Sequence, residues 1–264
     1  ELIEAAFGST YNGLPIRYVE QAAQLGTGHA LLQSARLIQG PFLALNGDGL
    51  VSHDDLRRLA AAEQAALVKR VSDPRSYGVF EVTEQNRVIR LIEKPSQVFS
   101  DLANAGAYKF TPEIFRVLNN LEPSGRGELE LTAAIQILAE HSDFRAVEVE
   151  DYWLPIGYPW DLLNANEYFL NMFLEHRVEG DVSPSAHING RVSIGEGTVV
   201  RSGVVIDGPV CLGKNCAVGP NCWLRSGTTL GDGCRVGHAV EVKNSILMDG
   251  ATVSHLSYVG DSIL

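Results

Sequence analysis

Residues 192–212 read VSIGEGTVVRSGVVIDGPVCL, and a branched apolar residue returns every six positions. The step runs without a break through Val182, Ile188, Ile194, Val200, Ile206, Leu212, Val218, Leu224, Leu230, Val236 and Val242. After one step of five it resumes at Leu247, Val253 and Val259. Four positions after each anchor comes a small or β-branched residue, as at Ala186, Val192, Thr198 and Cys216. Glycine often follows the anchor directly, as at Gly195, Gly213, Gly219, Gly231 and Gly237. A helix repeats every 3.6 residues and a flat strand every two, so neither fits. A parallel β-helix of triangular section does: each hexapeptide is one side, the anchor points inward, and glycine eases the corners. Three sides make a coil of 18 residues, stacked at about 4.8 Å.

Outward from this repeat the texture changes. Of 264 residues, 45% are apolar, which is enough for real cores and argues against disorder. The formal net charge of −11 argues against wrapping nucleic acid or lying on an anionic membrane. No apolar run is long enough to span a bilayer. Residues 1–10 carry no secretory pattern, which points to a cytoplasmic protein. The chain does not open with Met and stops inside the repeat, so the sequence reads as a fragment lacking material at both ends.

Residues 1–176 alternate strands and helices, an α/β texture, and residues 181–264 form the repeat domain. Phe42 to Leu45 reads as a buried strand ending in Asn46-Gly47-Asp48-Gly49. Ser52 caps a helix with Asp55 three residues on. Strands are predicted over 79–82, 88–92 and 105–110. Helices are predicted after Pro112 and over 128–140 and 160–175. Cys216, Cys222 and Cys234 occupy the small inward slot of the repeat, as buried thiols. The chain has no CxxC, which argues against a zinc site.

Arg225 and Lys243 are 18 apart, each directly after an anchor, and so share one column of adjacent coils. Like charges stacked on a β surface repel. Either they splay into solvent, or an anion such as a phosphate ester sits between them. His255 follows 12 residues after Lys243, read as the same side of the coil less the one-residue stutter. It is either a plain surface histidine or a general base. In the first half, Asp48 closes a strand, where a carboxylate either makes a turn or holds a metal ion. Gly26-Thr27-Gly28 precedes an apolar helical stretch and lets backbone approach a ring or a phosphate.

The stretches VEVKNS (240–245) and HLSYVGD (255–261) resemble the acetyltransferase half of the bifunctional sugar-1-phosphate nucleotidyltransferase/acetyltransferase family. That resemblance implies a left-handed parallel β-helix of hexapeptide repeats. Arg225 and Lys243 would hold a sugar phosphate, His255 would act as base on a sugar amine, and Tyr258 would line the sugar site. It also implies a homotrimer with acetyl-CoA between neighbouring helices, and a further coil beyond Leu264. The stretches QAAQLGTGH (21–29), LNGD (45–48), YGV (77–79), EKP (93–95), NAG (104–106), GELELT (127–132) and WDLL (160–163) resemble the same family's nucleotidyltransferase domain, a Rossmann-like α/β fold. By that resemblance Gln21, Gly26 and Thr27 read a uracil or thymine base of UTP or dTTP. Asp48 holds Mg2+, while Gly78, Glu93 and Asn104 grip the sugar and Lys94 its phosphate.

The sequence departs from the family in three places. The glycine-rich triphosphate loop would lie before Glu1, so the fragment itself is expected to be inactive in nucleotidyl transfer. Pro155 stands where the family has an Asp that helps hold the metal. The stretch between Leu59 and Val68 looks short for a helix-to-strand step. Two other readings remain open: a nucleotidyltransferase whose β-helix is only structural, and a non-catalytic regulatory homologue.

Overall fold

The computed structural model describes residues 2–264. They form two compact units that divide between Pro155 and Ile156.

The first unit is built on a mixed sheet whose spine is the strand Leu102–Phe110. On one edge it pairs antiparallel with Ala65–Arg70, which continues in parallel to Arg145–Glu148. On the other edge it pairs with Gly78–Val82 at one end and Phe42–Leu45 at the other. Val88–Glu93 completes the sheet beyond Gly78–Val82. Side chains alternate along a strand, so Ala66 and Val68 enter one core and Ala65 and Leu67 another. The first core packs Phe80, Phe110 and Phe144 against the helices Glu113–Asn119 and Leu131–His141. The second packs Leu67 and Ala105 against Leu59 of the helix His53–Ala61.

Ser52 caps that helix as expected, its Oγ accepting from the Asp55 amide at 3.1 Å. Buried Asp55 also takes the amides of Glu150 and Asp151, at 3.0 and 3.2 Å. Phe42–Leu45 is not buried as its sequence suggests, for Leu45 is 53% exposed. Among the described residues that strand has a partner on one side only. The short stretch after Leu59 is accommodated, since the helix ends at Ala61 and the next strand starts at Ala65. Alanine-rich Ala65–Arg70 escapes a propensity reading because alanine favours helix. Burial on both faces of the sheet overrides that preference. The helix expected from residue 128 starts at Leu131, because residues 125–129 serve a loop of the pocket described below.

The second unit opens with the helix Pro159–Phe173. Asp161 accepts the amides of Gly157 and Tyr158 at 3.0 and 2.8 Å, which fixes the helix start. Asn166 ties the helix to the repeat, donating to the Gly227 carbonyl at 2.9 Å and accepting from Thr229 at 2.6 Å. The helix therefore groups with the repeat, so the compact units divide before it, whereas the texture of the sequence changes near residues 176–181. The repeat forms three parallel sheets of five strands each, one per wall of a left-handed β-helix. Register follows the sequence period: Val192 faces Val210, which faces Thr228. At the five-residue step the offset falls to 17, with Thr229 facing Ile246. Ile194, Val200, Ile206, Leu212, Leu224 and Val242 are at most 1% exposed. Burying each such side chain contributes about 1.5–3 kcal/mol. Cys216, Cys222 and Cys234 are buried free thiols. Corners are turned in the left-handed backbone region by glycines and by Asn215, Asn221 and Asn244. No described helix is long and apolar enough to cross a membrane.

Candidate functional site

A cavity of about 350 Å³ opens at the strand ends of the first unit. Asp48, Gly78, Glu93, Lys94, Asn104 and Thr27 all line it. The structure thus gathers six residues from five separate stretches into one site. Gly78 lets the strands close up: a Cβ there would stand 3.1 Å from Glu93 Oε2 and from Thr132. Burial raises the Glu93 carboxyl above its ordinary value, against the charges of Lys94 and Arg126, which lower it. The Asn104 side-chain amide donates to the Tyr108 hydroxyl at 2.7 Å and accepts from the Gly106 amide at 3.1 Å. Both ends of that amide are thereby oriented. Burial pushes the Tyr108 hydroxyl up to about 12.

Lys94 sits at φ 45°, a left-handed conformation, directly before Pro95. Such backbone is retained where its surroundings over-determine it, and functional sites are a common place. Gly26 lies at φ 100°, and a Cβ there would meet the Leu129 carbonyl at 2.7 Å. Gln21 donates to the Gly26 carbonyl at 3.1 Å, and the Thr27 hydroxyl accepts from the Leu131 amide at 3.2 Å. Of Gln21, Gly26 and Thr27, only Thr27 lines the cavity.

The sequence reading missed Tyr108 and Arg126, which also line the cavity, and gave no role to Glu130, which lies there too within the quoted GELELT run. Arg126 pairs with Glu130 at 2.9 Å. Burial opposes ionisation of Glu130, but bonds from Ser124 and Arg126 outweigh it and hold the carboxyl below its ordinary value. The only sequence signal for Arg126 was its place beside the quoted GELELT run.

Asp48 is exposed at its turn. The strand Trp153–Pro155 pairs with Gly49–Val51 and sets Pro155 opposite Gly49, next to Asp48. A side chain at position 155 would thus neighbour Asp48, and proline offers no ligand there. Among the described residues no cluster of three or more His, Cys, Asp or Glu is placed to hold a metal ion.

In the second unit Arg225 and Lys243 do occupy one wall on adjacent coils, for Leu224 faces Val242 in register. They do not both reach freely outward. Arg225 Nη1 donates to Glu241 Oε1 at 2.9 Å, and its guanidinium lies 4.7 Å over the Trp223 ring. Lys243 forms no salt bridge among the described residues. The next rung of its column is Gly260. A Cβ there would meet Tyr258 Cζ at 2.7 Å, so the tyrosine ring leans across the top of the Arg225–Lys243 column.

His255 is not in that column, which corrects the sequence reading. Twelve residues are two sides of a coil, so His255 falls at the corner before the wall strand Tyr258–Gly260. It stacks on His238, with ring centroids 4.3 Å apart, and its Nδ1 accepts from the His238 amide at 2.9 Å. A neutral ring held in this way carries its proton on Nε2. Both histidines line a largely apolar groove of about 620 Å³ that also takes in Arg201 and Arg235.

A mixed α/β sheet with a polar cavity at its strand ends, followed by a hexapeptide β-helix, defines a nucleotidyltransferase-type enzyme class. The nucleotidyl transferase family profile matches residues 1–172, and the chain belongs to that family. The GMPPB C-terminal domain profile matches residues 206–264. "Bifunctional protein GlmU" of Methanococcus maripaludis is 43% identical over 251 residues, covering 94% of this chain and 61% of its own length. A "bifunctional sugar-1-phosphate nucleotidylyltransferase/acetyltransferase" of Sulfurisphaera tokodaii is 38% identical over 90% of this chain and 60% of its own. The chain therefore spans about 61% of the length of the curated relatives it matches. A structure from Bacillus anthracis, described as a glucose-1-phosphate thymidylyltransferase, shares the fold at a TM-score of 0.56 and 24% identity. That match covers 63% of this chain and 70% of the other.

Proposed function

We propose that this chain is the substrate-binding body of a two-reaction sugar-nucleotide enzyme. One unit binds a sugar 1-phosphate for nucleotidyl transfer from UTP or dTTP, with release of pyrophosphate. The other binds glucosamine 1-phosphate for acetylation by acetyl-CoA. The observation that carries the reading is the Arg225–Lys243 register with the Tyr258 ring leaning over Gly260. A plain structural wall gains nothing from two stacked cations capped by an aromatic ring.

In the first unit, Lys94 and Arg126 take the sugar phosphate, and Glu93, Asn104 and Gly78 take the sugar. Thr27 would meet the base, with Gln21 and Gly26 supporting its loop from outside the cavity. Such a reaction is driven by positioning and charge neutralisation. A nucleoside triphosphate brings Mg2+ with it, and Asp48 is the carboxylate that would touch that ion. When bound, the ion would draw charge from the phosphates.

In the second unit, the amine of the sugar attacks the thioester carbonyl of acetyl-CoA and the thiolate leaves. His255 takes the amine proton, which requires its ring to turn about Cβ–Cγ and free Nδ1 from the His238 amide. A homotrimer, with acetyl-CoA between neighbouring β-helices, and a cytoplasmic setting belong to this reading. One observation favours a narrower alternative: with Pro155 beside Asp48, the first unit binds sugar phosphate without turning it over.

Assays of both reactions, on this chain and on a version extended to the length of its relatives, test the proposal. Acetyl transfer should vanish in His255→Ala while the oligomer persists by light scattering. Undiminished acetyl transfer in that variant would remove His255 as the base.

A further inference from the structure

Arg225 is held by an unusual set of neighbours. The Trp223 indole Nε1 donates to Asp207 Oδ2 at 2.6 Å, and Asp207 Oδ1 in turn accepts from the Asn189 side chain at 2.9 Å. His187–Asn189, Val205–Asp207, Trp223–Leu224 and Glu241–Lys243 are successive rungs of one wall. The indole is thus tethered down the wall across three coils. The bonds from Asn189 and Trp223 hold the Asp207 carboxyl below its ordinary value, so it stays ionised. The guanidinium of Arg225 rests on the indole, with its centre 4.7 Å from the ring centroid. Glu241, one rung on, takes Nη1 at 2.9 Å. Nε and Nη2 of Arg225 are left without a hydrogen-bond partner among the described residues.

We propose that Trp223 is a positioning residue for the phosphate-binding arginine of the second unit: Asp207 locks the indole, and the indole holds the guanidinium flat with one donor edge free. The proposal rests on the reading of Arg225 and Lys243 as a phosphate site. A free arginine gives up much rotamer freedom when it grips a ligand. A guanidinium already fixed between a ring face and a carboxylate has less to lose, so it binds its anion more tightly. Trp223 is 42% exposed on an outer wall, so the coil core does not depend on it. An anion on Arg225 also relieves the like-charge contact with Lys243, whereas Glu241 alone neutralises only one of the two cations.

Calorimetric titration with glucosamine 1-phosphate tests the inference through a double-mutant cycle, run in a chain that carries Lys94→Ala throughout so that the first unit's cavity does not contribute. Trp223→Ala is expected to weaken binding about threefold, the scale of a half-exposed cation–π contact. Arg225→Ala is expected to weaken it about tenfold. The double variant should be no weaker than Arg225→Ala alone, because the indole acts through the guanidinium. Trp223→Phe keeps a ring face and should recover most of the loss. An unchanged Kd in Trp223→Ala overturns the proposal. So does an equal loss in both arginine backgrounds, which would put the indole on the ligand itself. If the Lys94→Ala chain does not bind, or adding Arg225→Ala leaves its Kd unchanged, the phosphate-site reading falls and takes this inference with it. If urea unfolding shows that Trp223→Ala disturbs the coil, Trp223→Leu takes its place in the same cycle.

Discussion

The proposed function gives phosphate two cationic pairs, Lys94 with Arg126 and Arg225 with Lys243, and they are held in opposite ways. Arg225 and Lys243 are neighbours because a repeat makes them so: a step of 18 along the chain is one rung across the wall. Lys94 and Arg126 line one cavity because two loops from distant parts of the first unit converge. One loop holds a left-handed lysine, and in the other a glutamate anchors the arginine. The wall pair therefore depends on the cooperativity of a stack. The cavity pair depends on local strain and a single ion pair. Damage to the coil core should loosen the wall pair from a distance, whereas the cavity pair should respond only to changes at the cavity.

The largest test of this contrast strikes the stack. Leu224 is fully buried between the walls, immediately before Arg225. Leu224→Ala is expected to destabilise the β-helix by about 3 kcal/mol. Urea unfolding should show the loss in the transition of the second unit and leave that of the first unit in place. A loss below about 1 kcal/mol would mean that the wall does not depend on its anchors as the period implies.

The next test is local. Arg126→Ala should weaken glucose 1-phosphate binding by the first unit about tenfold, the value of one charge-assisted contact. The wall pair should be untouched, read as unchanged binding of glucosamine 1-phosphate in a chain that also carries Lys94→Ala. Undiminished glucose 1-phosphate binding in Arg126→Ala would remove Arg126 from the phosphate site.

These two tests also mark what the sequence discloses. The second unit was readable almost to the residue, since an integer period fixes register and register fixes neighbours. Even there, the placement of His255 required counting walls as well as residues. The pairing of Arg225 with Glu241 and Trp223 depends on rotamers that no spacing encodes. In the first unit the motifs named six cavity residues, but Tyr108 and Arg126 became visible only once the chain was folded. Tyr108 acts from beneath by orienting Asn104, and a buried tyrosine in a strand looks like core. Ala65–Arg70 was hidden because its alanines state a helical preference that burial overrides.

A smaller effect separates the cavity from the wall by its pH dependence. Burial raises the Glu93 carboxyl above its unfolded value. A raised acid favours its protonated form in the folded state, so its contribution is full at pH below the unfolded pKa. That contribution is lost as pH rises through the folded pKa. Urea unfolding between pH 4 and 7 should therefore show a falling component for the first unit that Glu93→Gln removes. An identical slope in the variant would assign the dependence to other carboxyls.

The smallest effect concerns Asp48 and its neighbour across the ladder. Pro155 pairs with Gly49 on a two-stranded ribbon, so the backbone there already accepts an extended residue. Asp at this position would restore an amide and set a second carboxylate beside the first. One exposed carboxylate on a turn beside one half-buried at a strand end makes a weak site for a hard cation, with a Kd of about 1 mM. Pro155→Asp should thus gain Mn2+ binding by paramagnetic line broadening confined to the residues around Asp48, with the stability of the first unit nearly unchanged. The wall pair supplies the control, because no change at position 155 should alter glucosamine 1-phosphate binding there. If Mn2+ binds equally well to the native chain, Asp48 is already sufficient and the proline has no bearing on the metal. If neither chain binds it, the ion must arrive with the nucleotide, and the first unit contributes to charge neutralisation mainly through Lys94 and Arg126.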